Sequence, residues 1–176
     1  MIGSAVIIPT GNEIKEGIVL DTDSPGIMAR LLALNPCMDI RRIPPVLDSE
    51  DRIWEAIDSW VKKEVHLIVL IGGSGGGHRF SDTLGKDFTH TVMADLLEDK
   101  YCREIYGKNG HLWSKLIIGT TRHSLLINVP GPYEEAMAAI GAFCHSYEEG
   151  CPLSEINLAM ADAVIALYDN QVKPLS

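Results

Sequence analysis

No apolar run in this sequence approaches the roughly 20 residues that a membrane span requires. No basic region precedes the short apolar stretch from Met1 to Pro9, so that stretch reads as a first strand and not as a secretion signal. Cysteine is sparse. Cys37, Cys102, Cys144 and Cys151 lie far apart and form no CxxC pair, which argues against a zinc site or a disulfide framework and fits free thiols in a reducing cytoplasm. Basic residues are outnumbered, 15 against 24 acidic, for a net charge of −9. A nucleic-acid binder needs a basic surface for the phosphate backbone, so nucleic acid is not an expected partner, and neither is a membrane. A local cationic pocket for one small anion stays compatible with these totals. Charge blocks, low-complexity tracts, internal repeats and clear linkers are also missing. The 176 residues are therefore read as one domain, with residues 150–176 as a C-terminal helical extension.

What is present is an alternation of strand and helix signals. Ser4 to Ile8 is apolar and β-branched, and Pro9 ends it. Asp23, Ser24 and Pro25 announce a helix, with Ser24 as a cap and Pro25 in the first turn. Ile27, Leu31 and Leu34 recur at helical spacing until Asn35-Pro36 stops the run. Asp39 to Ile43 reads as a short strand. Asp48 or Ser49 caps the next helix, whose buried stripe is Ile53, Ile57, Trp60 and Val61. Val65 to Ile71 is the clearest strand, apolar on both faces as in the middle of a parallel sheet covered by helices. Phe88, Val92 and Leu96 suggest another helix, and Tyr101 to Ser114 reads as irregular. Leu116 to Ile118 and Leu125 to Val129 read as strands joined through Arg122 and His123. One helix starts near Pro132 and runs toward His145, and a last one carries Leu153, Ile156, Met160, Ala163 and Leu167 on one face. The expectation is an α/β three-layer sandwich with a mostly parallel central sheet.

The chemistry is expected at "LIGGSGGGHRFSDTL", Leu70 to Leu84, with five glycines between Gly72 and Gly77. Parallel α/β sheets place ligands beyond the carboxyl ends of their strands. A glycine turn there lets backbone N–H groups approach an anion without Cβ atoms in the way, and a following helix N-terminus adds partial positive charge. Asp82 offers a carboxylate for Mg²⁺ or a proton, and Thr83 a hydroxyl. The stretch is neither GxxxxGK[ST] nor GxGxxG. Its bland alternative is a flexible turn. Other residues also carry two readings. Asp48 is a helix cap or a site carboxylate, and Glu13 a site acid or a solvated one. His78 and Arg79 neutralise a phosphate or decorate the surface. Lys86 reaches a phosphate or lies on an exposed first turn. His66 and His90 read as structural, and Trp54, Trp60 and Trp113 as core or partial core.

Further stretches join the glycine turn: "PTGNEIKEGIVLDTDS" from Pro9, "PVLDSEDRIWEAI" from Pro45 and "LLINVPGPYEEAM" from Leu125. In order and spacing they resemble the molybdenum-cofactor biosynthesis domain, over roughly Ser4 to Phe143. That family includes molybdopterin adenylyltransferases, the central domain of molybdenum insertases and the N-terminal domain of CinA proteins. Gly11 and Glu13 match its first segment, and Asp21, Thr22, Asp23 and Ser24 its second. Asp48 matches the Asp before helix two, Gly72, Gly73, Ser74 and Gly75 the glycine turn, and Pro130 and Gly131 the last strand end. The family's Asp-x-Thr or Asp-Thr element is matched by Asp82-Thr83. Six residues, Gly76 to Ser81, separate Gly75 from Asp82, longer than the usual spacing. Leu84-Gly85-Lys86 follows in place of Pro-Glu-Ala, and the Gly-Pro-Tyr-Glu-Glu ending leans toward the CinA form.

The resemblance implies a molybdopterin-binding-like fold. It also implies a pterin or nucleotide phosphate held by Gly11, Glu13, Asp23, Ser24, Gly72, Gly73, Ser74, Gly75, Thr83, Pro130 and Gly131. Asp48 and Asp82 would be the catalytic residues and the Mg²⁺ ligands. The implied activity is Mg²⁺-dependent adenylyl transfer from ATP to molybdopterin. The alternatives are CinA-type hydrolysis of ADP-ribose and a non-catalytic molybdopterin-binding module. A cytoplasmic homo-oligomer, trimeric by resemblance, is expected.

Overall fold

The computed structural model describes residues 1–75, 88–108 and 110–168, and the backbone of 172–174. The chain runs through β1 (Ser4–Pro9), α1 (Asn12–Lys15), α2 (Asp23–Leu34), β2 (Asp39–Arg42), α3 (Glu50–Val61) and β3 (Leu67–Ile71). It continues through α4 (Phe88–Leu96), β4 (Asp99–Gly107), β5 (Leu112–Thr121), β6 (Ser124–Val129), α5 (Tyr133–Glu148), α6 (Leu153–Ala166) and β7 (Val172–Pro174). The described strands form one sheet in the order β2-β1-β3-β6-β5-β4-β7. β2, β1, β3 and β6 are parallel. β5 runs against both β6 and β4, and β7 runs against β4.

Strand alternation divides the core in two. Ala5 and Ile7 of β1, with Leu67, Val69 and Ile71 of β3, face the layer of α2, α5 and α6. Val6, Ile8, Ile68 and Leu70 face the layer of α3 and α4. β3 is therefore buried on both faces between β1 and β6, as its unbroken apolar run requires. Each fully buried Ile or Leu contributes roughly 1.5–3 kcal/mol of transfer free energy, so this strand anchors whatever its end carries. No described helix is long and apolar enough to cross a membrane.

Several local expectations need correction. Tyr101 to Ser114 is not irregular: β4 and β5 form a long antiparallel hairpin through it, from Asp99↔Thr120 to Tyr106↔Leu112. Its alternation is hidden because β4 is largely exposed at Asp99 to Arg103, so charged residues stand where one face would otherwise be apolar. Gly107 ends β4 and Gly110 lies in the hairpin loop; the Gly107 N–H donates to His111 O and the Gly110 N–H to Gly107 O. Ser24 is not the cap of α2. The Asp21 carboxylate accepts from both the Ser24 N–H (3.0 Å) and the Ser24 hydroxyl (2.6 Å). At α3, Ser49 is the N-cap, its Oγ accepting from the Arg52 N–H, which leaves Asp48 outside that role. Trp54 lies on the outer face of α3, half exposed. The segment after residue 150 holds α6, whose Ile156, Met160, Ala161 and Val164 enter the core, and then β7, which pairs with β4 at the sheet edge.

Candidate functional site at the strand ends

The sheet order makes a switch point. The chain leaves β1 outward to β2, then returns to the other side of β1 as β3. Open α/β sheets bind ligands in the crevice that such a reversal opens at the carboxyl ends of the strands. The turns after β1 and β3 flank it. The Thr10 N–H donates to Ile71 O (2.9 Å), and the Gly11 N–H donates to Val46 O (3.0 Å) in the segment after β2. The Gly72 N–H donates to Val129 O (3.1 Å), at the end of β6. Gly11, Gly72 and Gly131 are thereby drawn into one row, and a Cβ on Gly131 would lie 3.9 Å from the Gly72 Cα.

Two positions in the turn after β3 require glycine. Gly72 and Gly73 have φ of 86° and 61°, the left-handed region that side chains disfavour. A Cβ on Gly72 would lie 3.1 Å from Thr10 O, and one on Gly73 would run into Thr89 Oγ1 and lie 2.7 Å from Thr89 Cβ. Thr89, fully buried on α4, shares a hydrogen bond with Thr10 Oγ1 at 3.3 Å. Because the Thr10 hydroxyl donates to Ile71 O, Thr89 is the donor in that pair.

The turn after β3 has a defined polarity. Its carbonyls are tied to the protein: Gly73 O accepts from His90 Nδ1 (3.3 Å), and Ser74 O accepts from the Lys115 N–H (2.6 Å). The Ser114 hydroxyl donates to Ser74 Oγ at 3.1 Å, both residues being buried. The N–H groups of Gly73 and Ser74 have no acceptor among the described residues. Tied carbonyls beside N–H groups without a described acceptor make this turn the candidate nest for an anion. The turn reaches β5 because β6 and β5 part above Ile127↔Ile118. There Asn128 replaces the ladder, its amide oxygen accepting from the Ile117 N–H (2.6 Å) and its amide nitrogen donating to Lys115 O (2.9 Å).

Four carboxylates lie in the segments that follow β1 and β2. On the β2 flank, Asn12 Oδ1 accepts from the Asp48 N–H (3.0 Å), tying Asp48 to the turn after Gly11. A Cβ on Gly11 would lie 3.5 Å from Glu13 Oε2, so that carboxylate folds back over Gly11. At the start of α2 stand Asp21 and Asp23. Burial pushes the Asp21 carboxyl up, but the Ser24 hydroxyl and N–H and the Arg42 guanidinium outweigh it and hold the group below its ordinary value. Arg42 reaches Asp21 Oδ2 at 2.9 Å from the end of β2. Asp23 is only 6 % exposed. Burial pushes its carboxyl up to about 6, a shift that the Thr22 hydroxyl opposes and the Asp21 charge assists. Two neighbouring carboxyls pushed apart in this way are suited to different roles. Gly26, one turn into α2, packs on Met137 and Tyr133 of α5, which sets Asp23 and Ser24 beside the helix that follows Pro130-Gly131.

Of the residues expected at the site, Gly11, Glu13, Asp23, Ser24, Asp48, Gly72, Gly73, Ser74, Gly75, Pro130 and Gly131 lie in loops or first turns at this one edge. Asp82 and Thr83 lie outside the described residues, as do Gly76, Gly77, His78, Arg79 and Lys86. Among the described residues no group of three or more His, Cys, Asp or Glu side chains is placed to hold a metal ion. Thr10, Thr89, His90, Ser114 and Lys115 were not expected here. The structural role read for His90 falls at the site itself, since its ring supports the turn. One signal could have found Thr89: Asp87-Phe88-Thr89 is itself an Asp-x-Thr run at the start of α4. Nothing local marks Ser114 or Lys115, because only the tertiary pairing brings β5 to the turn.

Fold and site together define an α/β domain with a glycine turn at its switch point. The sequence model of a family described as "Probable molybdopterin binding domain" matches residues 6–148, and the chain belongs to that family. Among solved structures, it is similar to the molybdopterin biosynthesis enzyme MoaB of Thermus thermophilus, with 19 % identity and a TM-score of 0.63 over 85 % of this chain and 98 % of that one. It is similar to a molybdopterin biosynthesis protein of Mycobacterium abscessus, with 15 % identity and a TM-score of 0.61 over 96 % and 98 %. The protein CinA of Thermoplasma acidophilum matches at 22 % identity and a TM-score of 0.60 over 80 % and 95 %. At these identities the likeness is one of fold. A search of curated protein sequences found no match.

Proposed function

We propose that this chain binds molybdopterin through its phosphate in the switch-point crevice and catalyses adenylyl transfer to it from ATP, with Mg²⁺. One observation carries the binding part. The N–H groups of Gly73 and Ser74 have no acceptor among the described residues, while the carbonyls of the same two residues are held by His90 and Lys115. In adenylyl transfer, a phosphate oxygen of the pterin attacks the α-phosphorus of ATP and pyrophosphate leaves. Such a step needs alignment and charge stabilisation more than covalent help from the protein. The nest would fix the phosphate, and Asp48 and Asp82 would hold Mg²⁺. That ion is ordinarily held by one or two carboxylates together with substrate phosphates and water. When bound, Mg²⁺ would neutralise charge on the transferring phosphate. Thr89, seated against Gly73, also favours Asp87 of the Asp87-Phe88-Thr89 run as the partner of Asp48.

The test is incubation of the purified protein with Mg²⁺, ATP and molybdopterin, following adenylylated product and pyrophosphate, with ADP-ribose in a parallel arm. Turnover lost in Asp48→Asn, and in one of Asp82→Asn or Asp87→Asn, with binding retained, is the expected result. Hydrolysis of ADP-ribose alone would make the protein a CinA-type pyrophosphatase. Tight molybdopterin binding without turnover would leave a binding module. The same reading makes the protein a cytoplasmic homo-oligomer, trimeric by resemblance. Ile18, Val19 and Leu20, three consecutive exposed apolar residues before α2, support a contact surface, and light scattering in solution checks it.

A further inference from the structure

We infer that Lys115 is the cation that makes this cradle select a phosphate ester over an uncharged ligand with the same ring system. The inference rests on the reading of the Gly73-Ser74 turn as a phosphate nest. Its starting point is a polar wall that the family motifs do not include. Lys115 lies on β5 with its own N–H bonded to Ser74 O at 2.6 Å, so its backbone touches the turn. Its ammonium is 3.1 Å from Glu104 Oε1, the residue directly opposite on β4. Glu104 also accepts from the Tyr106 hydroxyl at 2.8 Å. The Tyr106 hydroxyl and the Lys115 ammonium hold the Glu104 carboxyl below its ordinary value, and His90, on α4, holds Gly73 O. These four side chains therefore share the α4 side of the sheet beside the turn.

Charge balance singles out Lys115 within this wall. The strand-end edge carries Glu13, Asp21, Asp23 and Asp48 on a chain of net charge −9, so a phosphate dianion needs a cation close to the nest. Arg42, at the end of β2, is bound by Asp21. Among the described residues, Lys115 is the lysine whose backbone joins the turn, and its side chain is three-quarters buried. An ammonium on a flexible four-carbon stem can keep one contact and reach another. Glu104 holds it at the rim without enclosing it, and a phosphate oxygen at the Gly73 and Ser74 N–H groups could share it. Uncharged ligands would gain nothing from this cation.

The experiment uses isothermal titration of the whole protein with molybdopterin and with its dephosphorylated form, while amide resonances of Gly73 and Ser74 locate the ligand. Wild type, Lys115→Met and Lys115→Arg are compared, with thermal unfolding as a folding control. A charge-assisted hydrogen bond corresponds to roughly 10-fold or more in affinity. Lys115→Met should lose about that factor for molybdopterin, leave the dephosphorylated pterin within about 2-fold, and flatten the salt dependence of molybdopterin binding. Lys115→Arg, which keeps the charge, should recover most of the loss. Equal loss for the two pterins, or molybdopterin binding that Lys115→Met leaves unchanged while the Gly73 and Ser74 amides still shift, overturns the role of Lys115 and spares the nest. Molybdopterin that leaves those amides unmoved in the wild type overturns the nest, and this inference with it.

Discussion

Replacing Gly73 by alanine tests the packing that builds the cradle. The added Cβ meets two costs. The residue sits at φ 61°, where a side chain costs roughly 1–2 kcal/mol. The Cβ also lies 2.7 Å from Thr89 Cβ and runs into Thr89 Oγ1. Thr89 cannot easily yield, because it is fully buried on α4 and its hydroxyl is bonded to Thr10. Overpacking of this kind costs roughly 1–3 kcal/mol. Gly73→Ala should therefore lose about 2–5 kcal/mol in urea unfolding, and roughly 5–15 °C in Tm for a chain of this size. The two costs can be separated. Thr89→Ala removes the hydroxyl and the methyl, so in the double variant the steric part shrinks while the backbone part stays. The cycle should show a coupling of about 1 kcal/mol or more in favour of the pair. A Gly73→Ala loss under about 0.5 kcal/mol, or strictly additive losses in the double variant, would refute the argument that Thr89 and Gly73 define the floor of the nest.

Three further outcomes are expected. Asp23 has a folded-state pKa near 6 against an ordinary 3.8, so the folded protein binds its proton more tightly than the unfolded chain; stability should fall by up to about 3 kcal/mol as pH rises from 4 to 6 and stay lower above. Asp23→Asn should be more stable than wild type at pH 7 and no better at pH 4, and urea midpoints at the two pH values check this. Asp21→Ala removes the acceptor for Ser24 and Arg42 and should cost about 1–3 kcal/mol, with amide exchange at Ser24 accelerated before that of the β3 core. Asn128→Ala strips partners from the Ile117 N–H and Lys115 O in the buried gap between β5 and β6; a cost of about 2–4 kcal/mol is expected, and one under about 1 kcal/mol would mean that water fills the gap.

What the sequence by itself determined is the local part. Val65 to Ile71 is apolar on both faces, and such a run can lie only where helices cover it from two sides. The glycines after it, and Pro130-Gly131 after β6, are local turn signals at strand ends, and strands alternating with helices bring such turns to one edge. So the three-layer architecture, the family and the place of the glycine turn at a strand end could be read from residues in order. Ser24 lies inside α2 and Thr22 at its N-cap, with the Asp21 carboxylate meeting the Ser24 N–H, because only the backbone path decides which oxygen meets which N–H. The β4–β5 hairpin escaped notice because its exposed strand lacks clean alternation. The tertiary structure alone decided the rest. Thr89 lies against Gly73, His90 and Lys115 hold the carbonyls of Gly73 and Ser74, and Glu104 restrains Lys115. Thr89, His90 and Lys115 all stand far along the chain from the turn they support. No local periodicity encodes such pairings, because they follow from where β6 parts from β5 and lets the turn of another strand fill the gap.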